Sequence, residues 1–119
     1  MRIVVDLDGT VCELKRTNQS YEEVAPIPGA ASTLRRWKKE GHAIIIHTAR
    51  NMRTANGNVG VAVANIGKIT LEWLELHGVP YDEIVFGKPQ GDIYIDDLAY
   101  RFQDWNHAKD FVAGAGRQP

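Results

Sequence analysis

The stretch that decides the fold is Met1-Arg-Ile-Val-Val-Asp-Leu-Asp-Gly-Thr10. Its apolar run, Ile3–Val5, does not alternate with polar residues, which predicts a strand buried on both faces. The run stops at two carboxylates one residue apart, Asp6 and Asp8, and Gly9 then allows a tight turn. Because buried acids are costly to desolvate, the pattern indicates a cation between them, and an oxygen-binding dication such as Mg²⁺ is suited to that place.

Length and charge narrow the classes of protein. The chain has 119 residues, which predicts one domain, and we expect it to span 1–112 with a flexible tail at 113–119. The net charge of −1 favours neither nucleic acid nor an anionic membrane as a partner. Cys12 is the only cysteine, so no internal disulfide can form. With no signal peptide or apolar run of membrane-spanning length, we expect a cytoplasmic protein.

Helices and strands alternate along the rest of the chain, which predicts an α/β fold with a parallel sheet flanked by helices. The patterns place helices at 30–40 and 66–77, strands at 43–47, 83–86 and 93–95, loops at 11–27 and 51–65, and short helical pieces over 98–112. Neither loop is long enough to fold as an inserted domain. About five residues separate the last two strands, whereas a parallel crossover normally takes a dozen or more, so the placement of the third strand stays open.

Polar side chains begin where each predicted strand ends. They are Asp6 and Asp8, Thr48, Lys88, and Asp96 with Asp97. The carboxyl ends of parallel strands share one edge of the sheet, where α/β folds bind ligands, so we expect these groups to converge. An ionised Asp held against Mg²⁺ can attack phosphorus, and the convergence therefore suggests phosphoryl transfer.

This order of motifs resembles the haloacid dehalogenase superfamily of phosphohydrolases across nearly the whole chain, with a Rossmann-like fold. The resemblance implies that Asp6 is the nucleophile and Asp8 the general acid and base. It implies a Mg²⁺ site made by Asp6, the backbone carbonyl of Asp8 and the fourth-motif acids Asp96 and Asp97, one of which binds directly and the other through water.

The same resemblance implies that Thr48, Ala49 and Arg50 form the second motif, in which the Thr48 hydroxyl bonds a phosphoryl oxygen. Arg50 either clamps the phosphate or makes a surface salt bridge. Lys88 resembles the third-motif cation, and Lys68 is the alternative for that role.

A narrower resemblance is carried by His47-Thr-Ala-Arg-Asn-Met-Arg, Phe86-Gly-Lys-Pro and Tyr94-Ile-Asp-Asp. These runs are similar to small phosphatases without a cap domain that are assigned to capsular polysaccharide biosynthesis. The similarity implies a sugar phosphate or another small phosphorylated metabolite as substrate. It also implies a homo-oligomer, dimer or tetramer, in which a neighbouring subunit covers the site.

Two other classes share parts of this pattern. A signalling receiver domain has a phosphoacceptor Asp, an acid pair, a Thr and a Lys, but its acid pair lies on the first strand and its acceptor on a later one. A nucleic-acid 3′-phosphatase shares the Asp-x-Asp-Gly-Thr motif. The acidic charge balance and the lack of a basic, aromatic groove disfavour that activity.

Overall fold

The computed structural model describes residues 1–115 and contains a parallel three-stranded sheet. Its strands, in spatial order, are β1 (Arg2–Asp6), β2 (Ala43–Thr48) and β3 (Glu83–Phe86). The helices are α1 (Ala30–Lys39), α2 (Val59–Leu76) and α3 (Trp105–Ala115). Each connection between neighbouring strands contains a helix, as parallel pairing requires. The architecture is therefore the α/β class predicted from the sequence.

The strand register aligns the carboxyl ends of all three strands. Asp6 lies opposite His47, and Thr48 lies opposite Phe86. The pairing continues one step further, because the Lys88 N–H donates to the Thr48 carbonyl at 3.1 Å. Side chains that follow β1, β2 and β3 are consequently brought to one edge of the sheet.

The main core lies between the sheet and its helices. On β2, Ile44 and Ile46 have no exposed surface. The helices contribute Ala30, Leu34 and Trp37 from α1, Trp73 and Leu74 from α2, and Trp105 and Ala108 from α3. The predicted core face of α1 is confirmed, whereas the predicted position of Leu76 is wrong, because 78% of its surface is exposed.

The second helix starts earlier than the sequence pattern predicts. It begins at Val59, not at Ile66, so the loop after β2 is shorter than expected. Asn58 is its N-cap, and its side-chain oxygen accepts a hydrogen bond from the Val61 N–H at 3.1 Å. An Asn before an apolar run is a known start signal, and it marks this boundary better than the weak periodicity of the following residues.

The predicted fourth strand is absent, because residues 87–104 contain neither strand nor helix. Ile93 and Ile95 are 79% and 97% exposed, so the apolar run is not in the core. The Tyr94 hydroxyl donates to the Pro89 carbonyl at 2.6 Å, which folds the segment back onto the preceding loop. The connection after β3 is too short to contain the crossover that a further parallel strand needs, and this is why no fourth strand forms.

The C-terminal region differs from the prediction in two further respects. Instead of short helical pieces over 98–112, one helix begins at Trp105. It continues to Ala115, past the expected domain boundary at 112. The remainder of the predicted tail, 116–119, lies outside the described residues.

Candidate active site

A tight turn follows β1 and fixes the first motif. The Leu7 carbonyl accepts hydrogen bonds from the N–H groups of Val11 at 2.9 Å and Cys12 at 3.1 Å. Gly9 adopts a φ of 88°, a left-handed conformation that a side chain would strain. Leu7 and Val11 are fully buried beneath the turn. The turn that carries Asp8 is thus fixed before Gly9 by Leu7 and after it by Val11.

Asp8 is bound by the second motif. Arg50 donates from Nη2 to Asp8 Oδ1 at 2.7 Å and from Nε to Oδ2 at 3.3 Å. The Thr48 hydroxyl donates to the same Oδ2 at 3.3 Å and accepts from the Arg50 N–H at 3.0 Å. The intervening Ala49 is partly buried, and its carbonyl accepts from the Met52 N–H at 3.0 Å. The fold therefore brings Asp8, Thr48 and Arg50 together.

Asp6 pairs with Lys88 across the edge of the sheet. The Lys88 Nζ lies 3.4 Å from Asp6 Oδ1, with 39% of the Asp6 side chain exposed. Burial raises the pKa of Asp6, the charge of Asp8 adds to the rise, and Lys88 opposes it. One lysine therefore does not fully compensate this carboxyl group, and a further cation would be stabilised beside it.

The geometry selects between the two candidate lysines. The side chain of Lys88 is 19% exposed and directed at Asp6. The side chain of Lys68 is 88% exposed and lies 3.9 Å from Glu72 on the same helix. Lys88 is therefore the lysine of the site, and Lys68 belongs to the outer surface of α2.

Three residues complete the surroundings of Arg50 without belonging to any motif. The Tyr21 ring centroid lies 4.0 Å from the guanidinium carbon, and the Thr70 hydroxyl accepts from Nη1 at 3.1 Å. The Cys12 thiol lies 3.6 Å from Nη2, and burial raises its pKa to about 12, so the thiol is neutral. Sequence reasoning missed the roles of Tyr21 and Thr70 because Tyr21 falls in the predicted loop 11–27 and Thr70 in a helix, both far from the motifs along the chain.

The predicted fourth-motif acids do not join this group. Asp96 and Asp97 are exposed, and Asp96 Oδ1 accepts a hydrogen bond from the Leu98 N–H at 2.8 Å. Within residues 1–115, no cluster of three or more His, Cys, Asp or Glu side chains is arranged to hold a metal ion. The predicted convergence is absent because the strand that would deliver these acids does not form.

The chemistry of the donors near β1 nevertheless suits a magnesium ion. Asp6 offers carboxylate oxygens and the backbone of Asp8 offers a carbonyl oxygen, and oxygen atoms are the ligands that Mg²⁺ prefers in proteins. The segment that carries Asp96 also passes beside the site, since the Tyr94 ring centroid lies 4.2 Å from Lys88 Nζ. The residues present thus fit part of a magnesium site, while the remaining predicted ligands lie outside it.

Comparison with known proteins establishes a relative. No protein-family model and no curated protein matches the chain. A structural-genomics target protein from Vibrio cholerae, known from its crystal structure, is 40% identical over 91% of this chain and 86% of its own, with a TM-score of 0.80. The chain belongs to the same family as that protein.

A second solved structure is more distant. It is the D,D-heptose 1,7-bisphosphate phosphatase from B. bronchiseptica, complexed with magnesium and phosphate. Identity is 20% and the TM-score 0.52, and the match covers 82% of this chain but 53% of that one. This chain thus aligns with about half of the larger protein. The likeness shows a shared haloacid dehalogenase-like fold.

In residues 1–115, no helix is both long and apolar enough to cross a membrane.

Proposed function

We propose that the protein is a Mg²⁺-dependent phosphomonoesterase that acts through an aspartyl-phosphate on Asp6. The observation that carries the proposal is the pairing of Asp6 with Lys88, 3.4 Å apart at the carboxyl edge of a parallel sheet. Thr48 lies beside this pair, since its carbonyl accepts from the Lys88 N–H at 3.1 Å, and its hydroxyl donates to Asp8 at 3.3 Å. A partly exposed carboxylate next to a cation, with a second carboxylate nearby, is the arrangement that a nucleophile and its acid–base partner require.

The proposed reaction has two displacements at phosphorus. A carboxylate oxygen of Asp6 forms the new bond to phosphorus as the bond to the leaving alcohol breaks, and protonated Asp8 supplies the proton to that alcohol. Ionised Asp8 then takes a proton from water, whose oxygen displaces Asp6 and releases inorganic phosphate. Lys88 neutralises charge on the transferring group. The Thr48 hydroxyl, which donates to Asp8 Oδ2 in the structure, turns to donate to an oxygen of that group when substrate binds.

Asp6 and the backbone carbonyl of Asp8 would hold the magnesium ion. Asp96 or Asp97, which lie outside the site in the structure, would complete it only after a shift of their segment. When bound, the ion neutralises the repulsion between Asp6 and the phosphate oxygens. The pKa of Asp6 is raised by burial although Lys88 lies beside it, and this supports a second positive charge, the metal ion, at this position. If either fourth-motif acid joins the site, Asp96→Asn or Asp97→Asn will raise the Mg²⁺ concentration required for half-maximal activity.

The proposed substrate is a sugar phosphate or another small phosphorylated metabolite, with a place in capsule or polysaccharide biosynthesis in the cytoplasm. The distant structural neighbour, named for a heptose bisphosphate, supports this class. We also propose a homo-oligomer. Ile93, Ile95 and Leu98 support it, because these large apolar side chains are exposed on the segment next to Lys88.

Phosphate release from p-nitrophenyl phosphate and a panel of sugar phosphates tests the proposal. Wild-type protein should turn over many times with Mg²⁺, lose activity with EDTA and regain it when Mg²⁺ is restored. Asp6→Asn should abolish release, while the control Asp110→Asn, an exposed acid on α3, should not. Turnover by Asp6→Asn, or activity that ignores chelation, would contradict the proposal. Stable acyl-phosphate from acetyl phosphate, without turnover, would indicate a receiver instead.

A further inference from the structure

Each guanidinium nitrogen of Arg50 donates a hydrogen bond within the protein. Nε and Nη2 donate to the two oxygens of Asp8, and Nη1 donates to the Thr70 hydroxyl at 3.1 Å. The side chain of Arg50 is 1% exposed. An arginine that binds a phosphate oxygen needs a donor directed into the open site, and here each guanidinium nitrogen faces a protein partner.

The surroundings of Arg50 are themselves fixed. The Tyr21 ring lies against the guanidinium at 4.0 Å, in a short 3-10 turn that packs against α2. The Trp73 indole donates to the Val24 carbonyl at 2.9 Å, which ties the end of this turn to the same helix. Thr70 also lies on α2, where its hydroxyl donates to the Ile66 carbonyl at 2.7 Å. Moving Arg50 towards a substrate would break this set of contacts.

We infer that Arg50 is a positioning residue that holds Asp8 for proton transfer, and that it does not bind the phosphate. The inference rests on the proposed phosphatase function and assigns Arg50 a role different from the substrate-binding one that the sequence suggests. An ionised carboxylate offers about four acceptor positions. Arg50 takes two of them, and the Thr48 hydroxyl and the Cys12 thiol are the weaker donors to the other two, so a proton on Asp8 takes a position that one of these two donors releases. The Asp8 side chain is 22% exposed, enough to meet a leaving oxygen or a water molecule.

The inference is tested by measuring whether a variant lowers kcat without changing its affinity for phosphate. Arg50→Lys keeps the charge but loses the two-point grip on Asp8, so kcat should fall about 10²-fold, the scale of acid–base catalysis. KM for p-nitrophenyl phosphate and the inhibition constant of inorganic phosphate should stay within about twofold, since the phosphate contacts of Thr48 and Lys88 are untouched. The control Arg36→Lys, an exposed arginine on α1, should change none of these values.

Thr70→Val provides a second variant if Arg50→Lys does not fold. It removes the anchor of Nη1 while keeping Arg50 and nearly the same side-chain volume. Because the misplacement of a catalytic group costs rate more than affinity, kcat should fall about tenfold or more at unchanged KM. Suppose that the wild type is active and that Arg50→Lys or Thr70→Val weakens phosphate affinity at unchanged kcat. This result would overturn the inference about Arg50 and leave the proposed function standing. A wild type that releases no phosphate would overturn it together with the proposed function.

Discussion

The indole Nε1 of Trp105 donates a hydrogen bond to the backbone carbonyl of Thr10 at 2.9 Å, across almost the whole length of the chain. The bond ties the first turn of α3 to the turn that carries Asp8. The ring of Trp105 packs edge-on against Trp37, with 5.8 Å between the ring centroids. It also lies so close to Gly29 that a Cβ there would approach the Cβ of Trp105 to 3.1 Å. The C-terminal helix is therefore part of the support of the candidate active site.

Trp105→Phe keeps an aromatic ring in the core but removes this bond. The loss should lower the free energy of unfolding by about 1–3 kcal/mol, because the Thr10 carbonyl is left without its donor. Phosphate release should fall in addition, since the turn under Asp8 loses an anchor. Urea unfolding and steady-state kinetics measure the two effects. Trp37→Phe is the matched control: it should destabilise the core while kcat of the folded fraction stays unchanged, and equal loss of kcat in both variants would contradict the role of the bond.

Replacing Lys88 distinguishes the two lysines by activity. Lys88→Met should lower kcat/KM by about 10²-fold or more, because a charge that stabilises the transferring group is removed. Lys68→Met changes a side chain that is 88% exposed, so it should leave kcat/KM unchanged. The rate of phosphate release from p-nitrophenyl phosphate measures both. The assignment fails if the Lys68 variant loses activity and the Lys88 variant keeps it.

The raised pKa of Asp6 predicts a pH dependence of stability. Burial, the largest cause, raises the pKa above its ordinary value of 3.8, so the folded chain keeps a proton that the unfolded chain has already lost. The free energy of unfolding contributed by Asp6 therefore falls as pH rises through the window above 3.8. Asp6→Asn removes this cost, so the variant should be more stable than wild type above the window, and the difference should shrink as pH falls to 3.8.

Thermal unfolding of metal-free protein across that pH range measures the difference. Asp110→Asn serves again as control, because this exposed acid on α3 should give a curve parallel to that of wild type. A Tm difference between wild type and Asp6→Asn that is the same at every pH would rule out a titrating Asp6 as its cause. Added Mg²⁺ should raise the Tm of wild type more than that of the variant, since the ion binds the ionised carboxylate.

The fourth strand shows where pattern reasoning fails. Ile93-Tyr-Ile95 has the composition of a buried strand, yet the structure leaves it exposed. Whether an apolar run enters a sheet depends on a connection long enough to reach it, and the link from β3 is too short for a crossover. The contacts of Arg50 with Tyr21 and Thr70 were hidden for a related reason, because side chains far apart in sequence meet through packing that no local motif records.

The sequence by itself determined the strands β1 and β2, the α/β class and the grouping of Asp6, Asp8 and Thr48, because apolar runs favour strands and parallel strands share one carboxyl edge. Tertiary structure alone decided that Lys88 and not Lys68 faces Asp6, that Arg50 is buried against Asp8, and that Asp96 and Asp97 remain outside the site. These outcomes depend on distances across the fold, and such distances follow from how helices and loops pack, which no local pattern of residues encodes.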